Sequence, residues 1–315
     1  MSTLKNNVKI FSGMANRELA EEIVEYVGVP LGKADISRFS DGEITINIGE
    51  SVRGKDTFII QPLCTPANEN IMELLIMVDA LKRASANSVT TIVPYYGYAR
   101  QDRKTRARDP ITAKLIADLL TAAGASRVVA MDLHAGQIQG FFNIPFDNLT
   151  AISILANYFK EKNIENGVVV SPDLGGVTRA RELANYLETP IAVIDKKRAS
   201  PNESEVMNII GEVSGRTAIV IDDIIDTGGT IVQGAQALID SGATEAYACC
   251  THPVFSGPAM DRMCSSVLKE IVVTNTIPFT NGCPGEKFVI LSVAELIGEA
   301  IIRIYENRSV SELFE

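Results

Sequence analysis

Short β-branched runs that end in a Gly- or Asp-containing loop and pass into an amphipathic helix recur along this chain. That order of segments leaves few architectures open. Runs at 57–61, 89–94, 127–132, 167–171, 191–194, 218–221 and 246–250 have the length and composition of buried strands. Helical spacing lies between them: Ile71, Leu74, Leu75, Val78 and Leu81 follow Asn70 as an N-cap with Glu73 at N3. A further helix opens at Asp109-Pro110 and ends before Gly124. The pattern predicts an α/β fold, a mostly parallel sheet covered by helices. The order strand, loop, helix, small-residue turn, strand, aromatic-rich loop at 58–98 returns at 218–255, which predicts two domains of one architecture. The boundary is expected after the polar stretch 143–150, giving domains 1–149 and 150–300, with the C-terminal segment 301–315 joining the first.

The 315 residues suffice for two such cores, and 46% apolar with 22% charged residues is ordinary globular usage. Lys and Arg number 29 against 39 Asp and Glu, a formal charge of −10, which disfavours nonspecific attraction to nucleic acid or anionic membranes. No apolar stretch approaches the roughly 20 residues of a membrane helix, and the first residues lack the apolar core of a secretory signal. The cysteines at 64, 249, 250, 264 and 283 are odd in number and show no C-x-x-C spacing. This argues against a disulfide framework or a cysteine zinc site and for a reducing cytoplasm.

The segment richest in chemistry is Ile219-Val220-Ile221-Asp222-Asp223-Ile224-Ile225-Asp226-Thr227-Gly228-Gly229-Thr230. An apolar strand delivers two adjacent carboxylates to its C-terminal end, where open α/β sheets place their ligands. Glycines let the backbone approach closely, and successive N–H groups at a helix start favour a phosphate. Thr227 and Thr230 add hydroxyl donors, and the carboxylates suit a diol or a metal bridged to one. Together these describe a sugar phosphate. The Gly-Gly pair alone would equally serve an ordinary strand-to-helix loop with solvated acids and a threonine cap.

This string resembles the phosphoribosyl diphosphate binding motif of the phosphoribosyltransferase fold. Further segments narrow the resemblance: Arg38-Phe39-Ser40-Asp41-Gly42-Glu43, Tyr95-Tyr96-Gly97-Tyr98-Ala99-Arg100-Gln101-Asp102, Asp132-Leu133-His134, Ser171-Pro172-Asp173-Leu174-Gly175-Gly176 and Asp195-Lys196-Lys197-Arg198. In that order, over nearly the whole chain, they resemble the ribose-phosphate pyrophosphokinase family of the common bacterial and mammalian type. The resemblance implies two phosphoribosyltransferase-type domains. It also implies transfer of the diphosphoryl group of ATP to the C1 hydroxyl of ribose 5-phosphate, yielding AMP and the precursor of nucleotides, histidine and tryptophan. By the same resemblance Asp222 and Asp223 hold the ribose hydroxyls, Asp226, Thr227, Gly228, Gly229 and Thr230 hold the 5-phosphate, and Asp173, Leu174, Gly175 and Gly176 form a loop against the diphosphate.

Phe39, Asp41, Gly42 and Glu43 offer a flat apolar face and acceptors for an adenine, although without the family they read as a turn into a strand at 44–48. Arg100, Gln101 and Asp102 join the ATP side, a guanidinium being suited to bidentate phosphate binding, and 103–108 continues as a basic loop. His134 is implied as an Mg²⁺ ligand with Asp173; spacing alone leaves a structural or hydrogen-bonding role equally open, since Mg²⁺ prefers oxygen. His252 reads as structural. Lys196 and Arg198 are the implied catalytic cations, with Arg198 also on ribose 5-phosphate, and 199–205 has the composition of a lid. The resemblance further implies a homohexamer with ATP sites that borrow residues across subunits, and phosphate and ADP as effectors. A phosphoribosyltransferase would carry the 220–230 motif but not the segments at 39–43 and 100–101. A noncatalytic relative would have lost Lys196, Arg198, His134 or Asp173, and a ligand-sensing transcription regulator would need a basic DNA-reading domain.

Overall fold

The computed structural model describes residues 2–197, 206–279 and 287–314. The chain divides into two compact units: Met1–Thr150 with Thr276–Pro278 and Ser292–Glu315, and Ala151–Asn275 with Phe279–Leu291.

In the first unit a short helix α1 (Ser2–Asn7) precedes β1 (Val8–Ser12), α2 (Arg17–Val27) and the strands β2 (Ala34–Arg38), β3 (Ile44–Ile48) and β4 (Asp56–Ile60). Then come α3 (Ala67–Arg83), β5 (Ser88–Val93), α4 (Thr112–Ala123), β6 (Arg127–Met131) and β7 (Phe146–Leu149). The sheet order is β1-β4-β5-β6-β7, every pair parallel, while β2 and β3 form a separate antiparallel hairpin. Leu74, Met77, Val78 and Leu81 of α3 and Ala113, Ile116, Ala117 and Leu120 of α4 pack one core with Ile59, Val89, Val93 and Val128. α3 begins before the expected cap: Asn70 is buried inside the helix and its Nδ2 donates to the Cys64 carbonyl at 2.8 Å, so the amide ties down the entering loop. α4 ends at Gly124, whose φ of 115° is a left-handed cap that favours glycine. The chain rejoins this unit at Ser292, earlier than 301, because the whole helix Ala294–Tyr305 packs there. Ser292 Oγ donates to the Glu22 carboxylate of α2, and a Cβ on Gly298 would meet Tyr26 Cδ1 at 2.5 Å, so glycine permits the close approach.

The second unit runs α5 (Ile152–Glu161), β8 (Gly167–Ser171), α6 (Val177–Leu187), β9 (Ile191–Lys197), β10 (Val206–Ile210), β11 (Thr217–Ile225), α7 (Gly229–Asp240), β12 (Glu245–Pro253), α8 (Ala259–Ser265), β13 (Glu270–Thr274) and β14 (Phe288–Leu291). Its sheet order is β10-β9-β8-β11-β12-β13-β14, parallel except for the antiparallel edge strand β10. Period-two alternation splits β11 between two cores. Ala218 and Val220 pack with Ile231, Ala235 and Leu238 of α7, whereas Ile219 and Ile221 pack with Leu155 of α5 and Ala180 and Leu183 of α6. The repeated order read in the sequence is thus β4-α3-β5 in one unit and β11-α7-β12 in the other.

Cys64, Cys249 and Cys250 are buried free thiols, but Cys264 is disulfide-bonded, which the cysteine spacing did not anticipate. Spacing along the chain does not report which residues a fold brings within bridging distance. Among the described residues no helix is long and apolar enough to cross a membrane. Leu238, fully buried beneath the second sheet, sets a test of this packing. Leu238→Ala is expected to cost about 2–5 kcal/mol in urea unfolding, and a loss below about 0.5 kcal/mol would contradict its placement.

Candidate active site

Strand order in the second unit determines where a ligand fits. From β8 the chain moves to β9 on one side and later to β11 on the other, so the order reverses between β8 and β11. The helices that follow, α6 and α7, cover opposite faces, and the carboxyl ends of β8 and β11 therefore flank an open crevice. The loop after β8 holds Asp173, Leu174, Gly175 and Gly176; the end of β11 holds Asp222 and Asp223 and leads into Asp226, Thr227, Gly228, Gly229 and Thr230. β9, beside β8, ends at Lys196 and Lys197. The Lys196 side chain, Arg198 and 199–205, which carry the catalytic and lid assignments, lie outside the described residues.

The β8 loop is built to stay open. Asp173 Oδ1 accepts from Gly176 N at 2.9 Å and Ser171 Oγ donates to the Asp173 carbonyl at 2.6 Å, a tight turn that leaves 173–175 exposed. A Cβ on Gly176 would meet Ser171 Oγ at 2.8 Å, so glycine leaves that hydroxyl free to keep its bond to the Asp173 carbonyl. At the β11 loop, Gly228 has φ 71° and caps α7; a Cβ there would meet Met263 Sδ at 3.2 Å. Ser256 N donates to the Asp226 carbonyl at 3.0 Å and its hydroxyl to the Asp226 carboxylate, while Arg262 Nη1 donates to the Thr227 carbonyl at 3.1 Å. Thr227 and Thr230 remain exposed at the mouth of the loop. Ser256 and Arg262 had no sequence signal, because they come from α8 and the turn before it.

Asp223 continues the Ile219–Ile221 alternation and so points toward the face covered by α6. There Arg179 Nη1 lies 3.3 Å from Asp223 Oδ1 and 3.7 Å from Asp222 Oδ1. Asp222 Oδ1 also accepts from Asp223 N at 2.9 Å. Burial, with the adjacent Asp223 carboxylate, pushes the Asp222 carboxyl up to about 8, against the pull of Arg179. Sequence reasoning missed Arg179; its one signal is a cation in a helix first turn that holds no acid.

In the first unit the hairpin turn between β2 and β3 presents Phe39, Asp41, Gly42 and Glu43 on an exposed tip. Phe39 N donates to Glu43 O at 2.9 Å, Glu43 N to Asp41 Oδ1 at 3.1 Å, and Gly42 takes φ 94°. Arg38 joins this turn to α3 by an ion pair with Glu69. Phe39 is 58% exposed, an aromatic face held out to solvent. Arg100, Gln101 and Asp102 follow β5, and His134, exposed, follows the neighbouring strand β6. Gln137 Nε2 donates to Asp102 Oδ2 at 2.7 Å, tying these two loops together, and Asp132 holds φ 38°, a costly conformation just before His134. Gln101 Oε1 accepts from the Thr112 hydroxyl at 2.5 Å, at the start of α4. His252 is buried in β12.

Two family models match the chain: the N-terminal domain of ribose phosphate pyrophosphokinase over residues 8–124 and the phosphoribosyl synthetase-associated domain over 196–315. The ribose-phosphate pyrophosphokinase of Bacillus caldolyticus is 61% identical over 315 residues, covering 100% of both chains. That of Bacillus subtilis (strain 168) is 62% identical over 308 residues, 98% of this chain and 97% of the relative. The crystal structure of phosphoribosylpyrophosphate synthetase from Mycobacterium smegmatis superposes with a TM-score of 0.91 at 42% identity, covering 96% of this chain and 99% of that one. Full-length identity at this level, with both halves matched by models, places the chain in the ribose-phosphate pyrophosphokinase family.

Proposed function

We propose that this ribose-phosphate pyrophosphokinase takes its sugar phosphate in the crevice between β8 and β11 and transfers to it the diphosphoryl group of ATP. The observation that supports this placement is the convergence, at one reversal of strand order, of a paired carboxylate, a Gly-rich helix start and a tight exposed loop. Asp222 and Asp223 accept from the ribose hydroxyls, and the N–H groups and hydroxyls of 226–230 receive the 5-phosphate. The C1 oxygen attacks the β-phosphorus, the bond from that phosphorus to the oxygen bridging it to the α-phosphorus breaks, AMP leaves, and the C1 hydroxyl proton passes to water. Asp173, Leu174, Gly175 and Gly176 lie against the moving diphosphate, and Lys196 and Arg198 stabilise charge that develops on it.

Phe39 stacks on the adenine while Asp41 and Glu43 accept from its exocyclic amine, and Arg100, Gln101 and Asp102 bind along the nucleotide. Among the described residues there is no group of three or more His, Cys, Asp or Glu side chains arranged to hold a metal. The exposed Asp173 carboxylate and His134 imidazole each suit Mg²⁺ brought in on the phosphates of ATP, an ion that takes one or two protein groups and completes its shell with substrate oxygens and water. By the family resemblance His134 and Asp173 would be the protein groups that hold it, and the ion would supply charge neutralisation on the transferring phosphates. A homohexamer, phosphate and ADP as effectors, and a cytoplasmic location belong to the same proposal and rest on the family resemblance.

Purified protein with ATP, Mg²⁺ and ribose 5-phosphate is expected to release AMP and phosphoribosyl diphosphate, and Lys196→Ala to lose about 10²-fold or more in kcat while still folded. Absence of AMP from folded parent protein supplied with phosphate would overturn the reading. Phe39→Ala is expected to raise KM for ATP about tenfold with KM for ribose 5-phosphate unchanged, the loss of one stacked ring.

Asp222 gives a pH test. Its folded-state pKa is raised to about 8, so its contribution to apo stability is complete below the ordinary carboxylate range and is lost as pH rises through 8. Asp222→Asn is therefore expected to gain thermal stability relative to the parent as pH climbs from 4 to 8, with the difference level above that. An offset that stays constant across thermal melts at these pH values would show that Asp222 titrates normally.

A further inference from the structure

Arg179 stands where helix electrostatics disfavours it. α6 opens at Val177, its first turn contains no acid, and residue 179 places a cation against the N–H groups that carry the helix's partial positive charge. The other arginine of this helix, Arg181, lies exposed, whereas the Arg179 side chain is only 19% exposed and turns to the end of β11. Such a break with local preference calls for a partner elsewhere, and the partners are two carboxylates at once: Asp223 at 3.3 Å and Asp222 at 3.7 Å from one guanidinium nitrogen.

We propose that Arg179 is a positioning residue for ribose 5-phosphate, its guanidinium holding the Asp222 and Asp223 carboxylates as a matched pair of acceptors for the sugar hydroxyls. The inference rests on the reading of this crevice as the ribose site and goes beyond it by naming what makes the acid pair usable. Burial and the neighbouring Asp223 carboxylate already push Asp222 toward its neutral form and Arg179 pulls against both, so losing the guanidinium drives Asp222 further toward an acid that offers a hydroxyl in place of an acceptor. From β12 the groups near the pair are the Cys249 and Cys250 thiols, both kept neutral by burial, so they add no counter-charge. A planar guanidinium meets two carboxylates and keeps further N–H donors in a fixed fork, which a lysine would not. Its position also joins the two loops of the site. Arg179 sits in the first turn after 173–176, so the acids that hold the sugar are braced by the helix that the diphosphate loop opens into.

A simpler role would be to neutralise buried Asp223 with no bearing on substrate, and the two differ in what substitution does. The full-length parent, R179K and R179Q are compared by thermal melting, by the melting shift that ribose 5-phosphate alone produces, and by KM for ribose 5-phosphate and for ATP. R179Q is expected to raise KM for ribose 5-phosphate about tenfold or more, to weaken the ribose 5-phosphate shift and to leave KM for ATP within about twofold, the signature of one lost charge-assisted arrangement at the sugar. R179K falls between R179Q and the parent, restoring charge without the fork, and carries the same comparison if R179Q melts below the assay temperature. A lower melting temperature with KM for ribose 5-phosphate unchanged, or equal rises in both KM values, would overturn the proposal. If the parent does turn over ribose 5-phosphate, either result sinks Arg179's role alone; a parent that does not turn it over sinks the ribose site, and this role with it.

Discussion

Like-charge repulsion between two carboxylates on consecutive residues of a buried strand is the constraint on which the second unit turns. Pairing of β11 with β8 stops at Val220, so Asp222 and Asp223 lie where the strand is held on one side only, by β12. Asp222 lies half-buried at the strand's carboxyl end, Asp223 turns onto the α6 face, and Arg179 meets both. A chain selected for stability alone would fill these positions with apolar residues, as it does at Val220 and Ile221 just before them.

The rest of the unit is the means of putting that pair beside the Gly-rich start of α7. β8 and β11 are neighbours although they are distant in sequence, because the intervening β9 and β10 go to the other side of β8. The reversal leaves a crevice with a helix start on each wall: α6 opening after the β8 loop, and α7 opening after Gly228. α8 then supports the α7 loop from outside through Arg262 and Met263, and Ser256 holds Asp226. The first unit uses the same parallel arrangement without a reversal in its sheet. It places Phe39, Asp41 and Glu43 on a hairpin tip and Arg100, Gln101 and His134 beyond the ends of β5 and β6.

Much of this was legible in the amino-acid order. The α/β class and the β4-α3-β5 and β11-α7-β12 echo follow from β-branched runs, glycine loops and helical spacing, and the 222–230 string announces acids, glycines and a helix start in one place. Three kinds of feature were not legible. Strand ends ran past their apolar runs: β11 extends through Asp222 to Ile225 and β12 through His252 to Pro253, because pairing in the sheet, not local hydrophobicity, holds those residues. Asn70 looked like a cap but serves inside α3, since a buried amide with a carbonyl partner outcompetes its local preference. Arg179, Ser256 and Arg262 depend on which strands become neighbours, and the disulfide bond at Cys264 on what the fold brings to α8. Nothing in one-dimensional spacing encodes either.

The most direct test of the central claim is a crystal structure of the full-length protein with ribose 5-phosphate bound and no nucleotide. The account predicts the ribose hydroxyls within hydrogen-bond distance of the Asp222 and Asp223 carboxylates, the 5-phosphate on the N–H groups of 226–230, and Arg179 still against the acids. Sugar bound away from the crevice between β8 and β11, or bound there with Asp222 and Asp223 untouched, would contradict it.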